Sequence, residues 1–182
     1  MIRRLLIANR GEIAVRIIRA CKELGIETVV VYSTADKESL AVQLADQAVC
    51  IGPAPAKDSY LNMGLIVQTA CSTGCDAVHP GYGFLSENAK FARLVQECDM
   101  TFVGPNPKLI QMMGDKTQAR KLMKEAGVPV VEGCEDALKS VEDAKNMAES
   151  IGYPVIIKAR LGGGGRGMRI VYKAEDLENA YT

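Results

Sequence analysis

The sequence has no surplus of charge: 22 basic and 22 acidic side chains cancel, and the isoelectric point lies near 6.6. Such a balance gives no support to a nucleic-acid partner or an anionic membrane surface, and leaves room only for a local basic pocket around a small anion. An apolar run long enough to span a bilayer is also missing. The opening MIRRLLIANRGE begins charged, but its apolar part is too short for the core of a secretion signal, so the expected location is the cytoplasm. Six cysteines are scattered without a CxxC pair and His79 is the only histidine, which leaves a zinc cluster short of ligands. Cys21, Cys50, Cys71, Cys75, Cys98 and Cys134 therefore read as small buried hydrophobes in a reducing compartment. Cys71 and Cys75 would share one helical face if their segment is a helix.

What is present is an ordinary globular composition, 48% hydrophobic and 24% charged, in 182 residues, enough for one full domain and part of a second. Strand and helix patterns alternate. Residues 3–8 read as a buried strand, Asn9 as a helix cap, and residues 10–24 as a helix whose apolar positions recur at three and four before Gly25 ends it. Residues 28–32 return as a valine-rich strand, making a right-handed βαβ unit. Its turn, ANRGEI, has one glycine where the dinucleotide fingerprint needs three, so an NAD-dependent oxidoreductase is the weakest functional reading. Arg19 and Glu23 are spaced as a solvated surface pair.

Residues 48–51 form a third strand, Ser59 is read as the cap of a helix over residues 60–73, and residues 77–79 form a fourth strand. HPGYGFLSEN then places Pro80, Gly81 and Gly83 just past a strand's C-terminal end, where open α/β sheets hold their ligands. His79 reads as a satisfied core histidine, with Tyr82 and Phe84 open to a packing role, and Ser86 is read as capping a helix over 87–97. A fifth strand at 101–103 completes a doubly wound parallel sheet. Beyond it the texture changes. A helical turn spans 109–113, Asp115 caps a helix reaching Ala126 with Lys116 at its start, and further helices occupy 144–151 and begin again near Ala174. A lysine at a helix start more often faces solvent, but it could serve an anion bound there. The boundary falls near Gly114, giving domains 1–113 and 114–182.

Residues 154–172, PVIIKARLGGGGRGMRIVY, concentrate the chemistry. Residues 155–157 read as a buried strand and residues 168–172 as its return partner, around four consecutive glycines. Such a run loses backbone entropy on ordering and suits close approach of backbone amides to a phosphate chain. Lys158, inside an otherwise apolar strand, would be costly to bury without an anion. Arg166 offers a second positive charge. The loop is not a Walker A motif, because Met168 stands where that motif needs lysine. A flexible connection with a solvent-facing lysine is the alternative.

Taken together, LLIANRGEIAVRIIRA, HPGYGFLSENA, MGDK and YPVIIKA leading into GGGGRGM resemble biotin carboxylase, an ATP-grasp enzyme, along the whole chain. The resemblance implies a Rossmann-like domain over 1–113, followed over 114–182 by the start of the ATP-grasp domain with part of its glycine-rich lid. It implies that ATP and bicarbonate form carboxyphosphate, whose carbon dioxide passes to N1 of carrier-bound biotin. By the same resemblance, Lys116 and Lys158 are nucleotide-phosphate lysines, Gly164, Gly165 and Met168 belong to the lid over ATP, and Tyr82 and Gly83 lie close to the biotin ring. Arg160 and Leu161 depart from the small residue and glycine common in the family. The magnesium ligands and the main catalytic residues are expected beyond residue 182, so that the fragment alone is inactive. Implied partners are the biotin carboxyl carrier protein, a carboxyltransferase component and a second copy in a full-length homodimer. The expected setting is acetyl-CoA carboxylase in fatty acid biosynthesis. Alternatives are the corresponding part of pyruvate or propionyl-CoA carboxylase, or a non-catalytic dimerisation or carrier-binding module.

Overall fold

In a computed structural model, residues 2–131, 133–134, 138–158 and 167–181 are described, with the side chains of Lys116 and Thr117 outside that description. The chain forms two compact units, Met1–Gln111 and Met112–Thr182.

In the first unit, β1 (Arg4–Ile7) leads into α1 (Gly11–Glu23), β2 (Glu27–Tyr32), α2 (Leu40–Leu44), β3 (Gln47–Cys50) and α3 (Met63–Ser72). The chain continues through β4 (Ala77–His79), α4 (Ala89–Glu97), β5 (Thr101–Phe102) and α5 (Pro107–Gly114). The strands make one parallel sheet in the order β3-β2-β1-β4-β5. Both faces are covered, which is why its inner strands read as unbroken apolar runs. Leu5, Ile7, Val30 and Ala77 pack with Ala14 and Ile18 of α1 on one face. Leu6, Ala8, Val29, Val31 and Val78 pack with Ile66 of α3 and Phe91 of α4 on the other.

The expected strands and helices occur, but three caps belong to other residues. Asn62 accepts from Leu65 N at 3.1 Å and Asn88 accepts from Phe91 N at 3.0 Å, so α3 and α4 start at Met63 and Ala89. Ser59 instead donates to Pro55 O at 3.0 Å, because a 3₁₀ turn over Ala56–Asp58 carries the proline-rich connection further before a helix can begin. Ser86 lies in the turn after β4, its N–H donating to Gly83 O. Asn9 does not cap α1, whose N-cap is Arg10. The cysteines follow expectation only in part: Cys21 and Cys75 are buried, with thiols pushed up by desolvation, whereas Cys50, Cys71 and Cys98 are exposed and Cys134 is half-buried. Since α3 ends at Ser72, Cys71 and Cys75 share no helical face.

The second unit continues with α6 (Lys116–Glu125), α7 (Val141–Ile151), β6 (Val155–Lys158), β7 (Met168–Val171) and α8 (Leu177–Tyr181). Asp115 Oδ1 accepts from Gln118 N at 3.2 Å, capping α6, and Ser140 Oγ accepts from Asp143 N at 3.1 Å, capping α7 ahead of the expected start. Strands β6 and β7 pair antiparallel, with Val155 opposite Val171 and Lys158 opposite Met168. Val155, Ile157 and Val171 face a small core made with Ala144 and Ala148 of α7 and Leu177 of α8. The other hairpin face is open, leaving Ile156 at 53% and Ile170 at 56% exposure. A strand buried on both faces is therefore not what forms here: a two-stranded sheet offers two faces, and the helices of this unit cover one. No described helix is long and apolar enough to cross a membrane.

Candidate functional site

Strand order reverses between β1 and β4, since the chain builds outward through β2 and β3 on one side and through β5 on the other. Loops leaving the carboxyl ends of such a pair diverge and open a ligand crevice. Here those ends are Ile7-Ala8-Asn9 and His79-Pro80-Gly81. Ala8 N donates to His79 O at 2.9 Å, extending the ladder by one bond. Asn9, only 3% exposed, then reaches across. Its Nδ2 donates to Pro80 O at 2.7 Å and to Tyr82 O at 2.8 Å, while Oδ1 accepts from Arg10 N at 2.9 Å. His79 closes the turn from within, its Nδ1 accepting from Gly81 N at 3.0 Å. That bond requires the Nε2–H tautomer, and burial pushes the imidazole below its ordinary pKa of 6.5. The expectation of a satisfied histidine fits this geometry.

The turn's backbone is unusual. Gly81 and Gly83 have φ of +65° and +70°, and Phe84, which is not glycine, has φ of +42°. Phe84 is held by stacking on Tyr60, with ring centroids 5.0 Å apart and planes 13° apart. The Arg10 guanidinium lies 5.8 Å from each ring centroid and 3.6 Å from Asp36 Oδ1. Tyr60 Oη donates to Asp36 Oδ2 at 2.7 Å and accepts from Ser33 N at 3.0 Å. Burial would raise the Asp36 carboxyl, but hydrogen bonds from Tyr60 and Ser33 and the Arg10 charge outweigh it and hold it below the usual value. Burial and the bond to Asp36 push Tyr60 up to about 12, so it stays a neutral donor. This framework presents Tyr82 outward at 77% exposure, so Tyr82 is not a packing residue while Phe84 is. Asn9, Arg10, Asp36 and Tyr60 were not singled out as site residues from the sequence. The signal available was an asparagine and an arginine directly after a buried strand at the switch point.

The remaining predicted residues lie in the second unit. Lys158 is the last residue of β6, exposed and paired in register with exposed Met168 at the mouth of the glycine-rich connection. Ile156 and Ile170 share their open face, by strand alternation. Of the two readings open for Lys158, a lysine buried with an anion and one facing solvent, this geometry has the second: alternation turns it onto the uncovered face. Lys116 occupies the first position of α6, and its side chain lies outside the described residues. Arg160, Leu161, Gly164, Gly165 and Arg166 also lie outside the described residues. Among the described residues, no group of three or more His, Cys, Asp or Glu side chains could hold a metal ion.

A doubly wound five-stranded sheet followed by a unit with a small antiparallel hairpin is the architecture of ATP-grasp enzymes of the biotin carboxylase type. The chain belongs to the biotin carboxylase family: residues 1–110 match the family described as biotin carboxylase, N-terminal domain. Residues 115–182 match the carbamoyl-phosphate synthase L chain, ATP binding domain. "Biotin carboxylase 1" of Bacillus subtilis is 62% identical over 179 residues, covering 98% of this chain and 40% of that protein. A crystal structure of a biotin carboxylase in complex with beta-gamma-ATP from Campylobacter jejuni superposes with a TM-score of 0.95 at 49% identity, covering 100% of this chain and 41% of the other. The biotin carboxylase domain dimer of the Hydrogenobacter thermophilus 2-oxoglutarate carboxylase, solved with MgADP, ADP and bicarbonate, superposes with a TM-score of 0.92 at 53% identity, covering 100% and 41%. The chain spans about 40% of the length of the relatives it matches.

Proposed function

We propose that the whole protein is an ATP-dependent ligase that carboxylates biotin on a carrier protein, and that this chain supplies its biotin-facing turn and part of its ATP-phosphate site. The domain division proposed for it is 1–113 and 114–182. The observation that carries the reading is the last registered pair of the β6–β7 hairpin, Lys158 opposite Met168, which puts an exposed cation at the mouth of a connection containing four consecutive glycines in a chain of this family. An exposed lysine costs nothing to desolvate until an anion arrives, and then gains a charge-assisted hydrogen bond. Glycine amides 164 and 165, together with Lys116, are assigned to the same phosphate chain, and Met168 to the lid over the nucleotide. In the reaction, bicarbonate oxygen attacks the γ-phosphorus of ATP and ADP leaves. Carboxyphosphate then breaks into carbon dioxide and phosphate, the phosphate takes the N1 proton of biotin, and N1 bonds to the carbon dioxide carbon. Magnesium would neutralise the phosphate oxygens when bound, and its ligands are assigned to the part of the protein beyond residue 182.

Tyr82 and Gly83, on the braced turn, are assigned to the biotin side. The carrier protein, a carboxyltransferase component and a second copy are the proposed partners, with acetyl-CoA carboxylation for fatty acid synthesis as the proposed setting. Residues 1–182 alone are expected to show no bicarbonate-dependent ATP hydrolysis. The test is steady-state kinetics of the full-length protein carrying Lys158→Ala. The expected result is a KM for ATP raised about tenfold or more, with the KM for biotin within about twofold. An unchanged KM for ATP overturns the phosphate assignment.

A further inference from the structure

We propose that Asn9 is the positioning residue of the biotin-facing turn: its side-chain amide fixes the backbone of residues 80–82 and so sets where Tyr82 and Gly83 stand. The proposal rests on the assignment of those two residues to biotin. Both hydrogens of the Asn9 amide are used on this one turn, at 2.7 Å to Pro80 O and 2.8 Å to Tyr82 O. The segment between these two carbonyls is Gly81-Tyr82, so the amide clamps a two-residue stretch that begins at the left-handed Gly81, φ +65°. The clamp leaves no slack. A Cβ on Gly81 would come within 2.6 Å of Asn9 Nδ2 and 2.7 Å of Ile13 Cγ2. Oδ1 in turn takes Arg10 N at 2.9 Å, which anchors the amide plane to the start of α1.

The neighbouring residue completes the arrangement. Arg10 lies over the Tyr60–Phe84 stack, so two consecutive residues leaving β1 brace the turn on both flanks of Tyr82 and Gly83. Only the Tyr82 ring is left projecting. The amide is the side chain suited to this work: it needs two donors in one plane and one acceptor, which aspartate, alanine and serine each fail to supply. Aspartate, of the same shape, would set a carboxylate oxygen against two carbonyl oxygens.

The test uses the full-length protein carrying Asn9→Ala, Asn9→Asp and, separately, Tyr82→Ala. Two readouts are taken, the KM values for free biotin and for ATP, and hydrogen exchange of the peptide covering residues 80–86. Asn9→Ala is expected to raise the KM for biotin about tenfold with the KM for ATP within about twofold, since a misplacement on the order of 1 Å weakens a positioned contact without touching a separate site. Exchange at 80–86 is expected to quicken while β2 and β3 stay as protected as before. Asn9→Asp is expected to exceed Asn9→Ala in both. Asn9→Ser, which keeps one donor, supplies the same two readouts where Asn9→Ala does not fold. Unchanged exchange at 80–86 alongside a biotin defect in Tyr82→Ala overturns the role of Asn9 alone. Quickened exchange with biotin kinetics unchanged in both Asn9→Ala and Tyr82→Ala overturns the biotin assignment, and the functional part of this proposal with it. A parallel rise in both KM values also overturns it, because that is what general loosening would produce.

Discussion

The turn after β4 is held by side chains that arrive from elsewhere in the sequence, whereas the β6–β7 hairpin is held by its own ladder and by a core on one face. At the first, Asn9 and Arg10 meet two carbonyls and the Phe84 ring more than 70 positions away. At the second, Val155, Ile157 and Val171 pack inward while Ile156, Ile170 and Met168 stay open. The difference has a functional sense. A turn that must hold a ring at a fixed place gains from over-determination, since residues at positive φ persist only where their surroundings hold them. Under the function proposed above, the hairpin meets a phosphate chain, and its open face leaves room for one.

The comparison breaks most decisively at Gly81. Gly81→Ala adds a Cβ into the Asn9 amide and Ile13 and places an L side chain at φ +65°. The two penalties together are expected to destabilise the first unit by about 2–4 kcal/mol. Urea unfolding, followed by exchange protection of β1 and β4, measures it. A loss under about 1 kcal/mol would show that the turn relaxes and is less determined than its geometry implies.

Next comes the aromatic side of the brace. Tyr60→Phe keeps the stack on Phe84 but removes the hydroxyl between Asp36 and Ser33 N. Leaving that buried N–H without its acceptor is expected to cost about 1–3 kcal/mol. The substitution should also change the acid limb of the stability curve. The Asp36 carboxyl sits below its ordinary value of 3.8 when folded, so its contribution is present above that value and is lost as pH falls through the lowered one. Without the tyrosine donor the folded carboxyl moves back toward 3.8 and the acid limb becomes shallower. An unaltered limb would place the control of Asp36 with Arg10 and Ser33.

These two sites also mark the limits of what the sequence discloses. The sheet was legible because parallel strands covered on both faces read as apolar runs, as at Leu5, Leu6 and Ile7. The capping residues were not, because Ser59 and Asn62, and likewise Ser86 and Asn88, offer equally competent caps within a few positions, and turn geometry chooses between them. Asn9 followed the local rule for a cap, but its partners lie 71 and 73 residues away, beyond any local pattern. At Lys158 the local sequence left two readings open. Its neighbours along the chain are apolar, which suggests burial, yet alternation in a two-stranded sheet turns it outward.

A smaller effect is expected at His79. Burial holds its folded pKa below 6.5, so on lowering the pH the unfolded chain takes up a proton first. Stability of the first unit is therefore expected to be full above about 6.5 and to decline as pH falls from there toward the folded value. Protonating Nδ1 would also remove the acceptor that Gly81 N uses. Unfolding free energies at about pH 7.5 and about pH 5.5 test this, with His79→Asn as the variant that should flatten the dependence. A rise in stability toward pH 5.5 would reverse the sign and show that an anion pairs with the imidazole.

The smallest effect is expected on the open face of the hairpin. Ile156 lies opposite Ile170 and contributes strand propensity, but it buries little on the side away from Ala144, Ala148 and Leu177. Threonine is β-branched too and keeps that propensity while giving water a hydroxyl. Ile156→Thr is therefore expected to change the stability of the 182-residue chain by no more than about 0.5 kcal/mol, read from exchange protection of β6 and β7. The first unit has no corresponding position on its inner strands, where both faces are covered. A loss above about 1 kcal/mol would mean that something covers the open face in solution, and a dependence of that loss on protein concentration would identify the cover as a second copy of the chain.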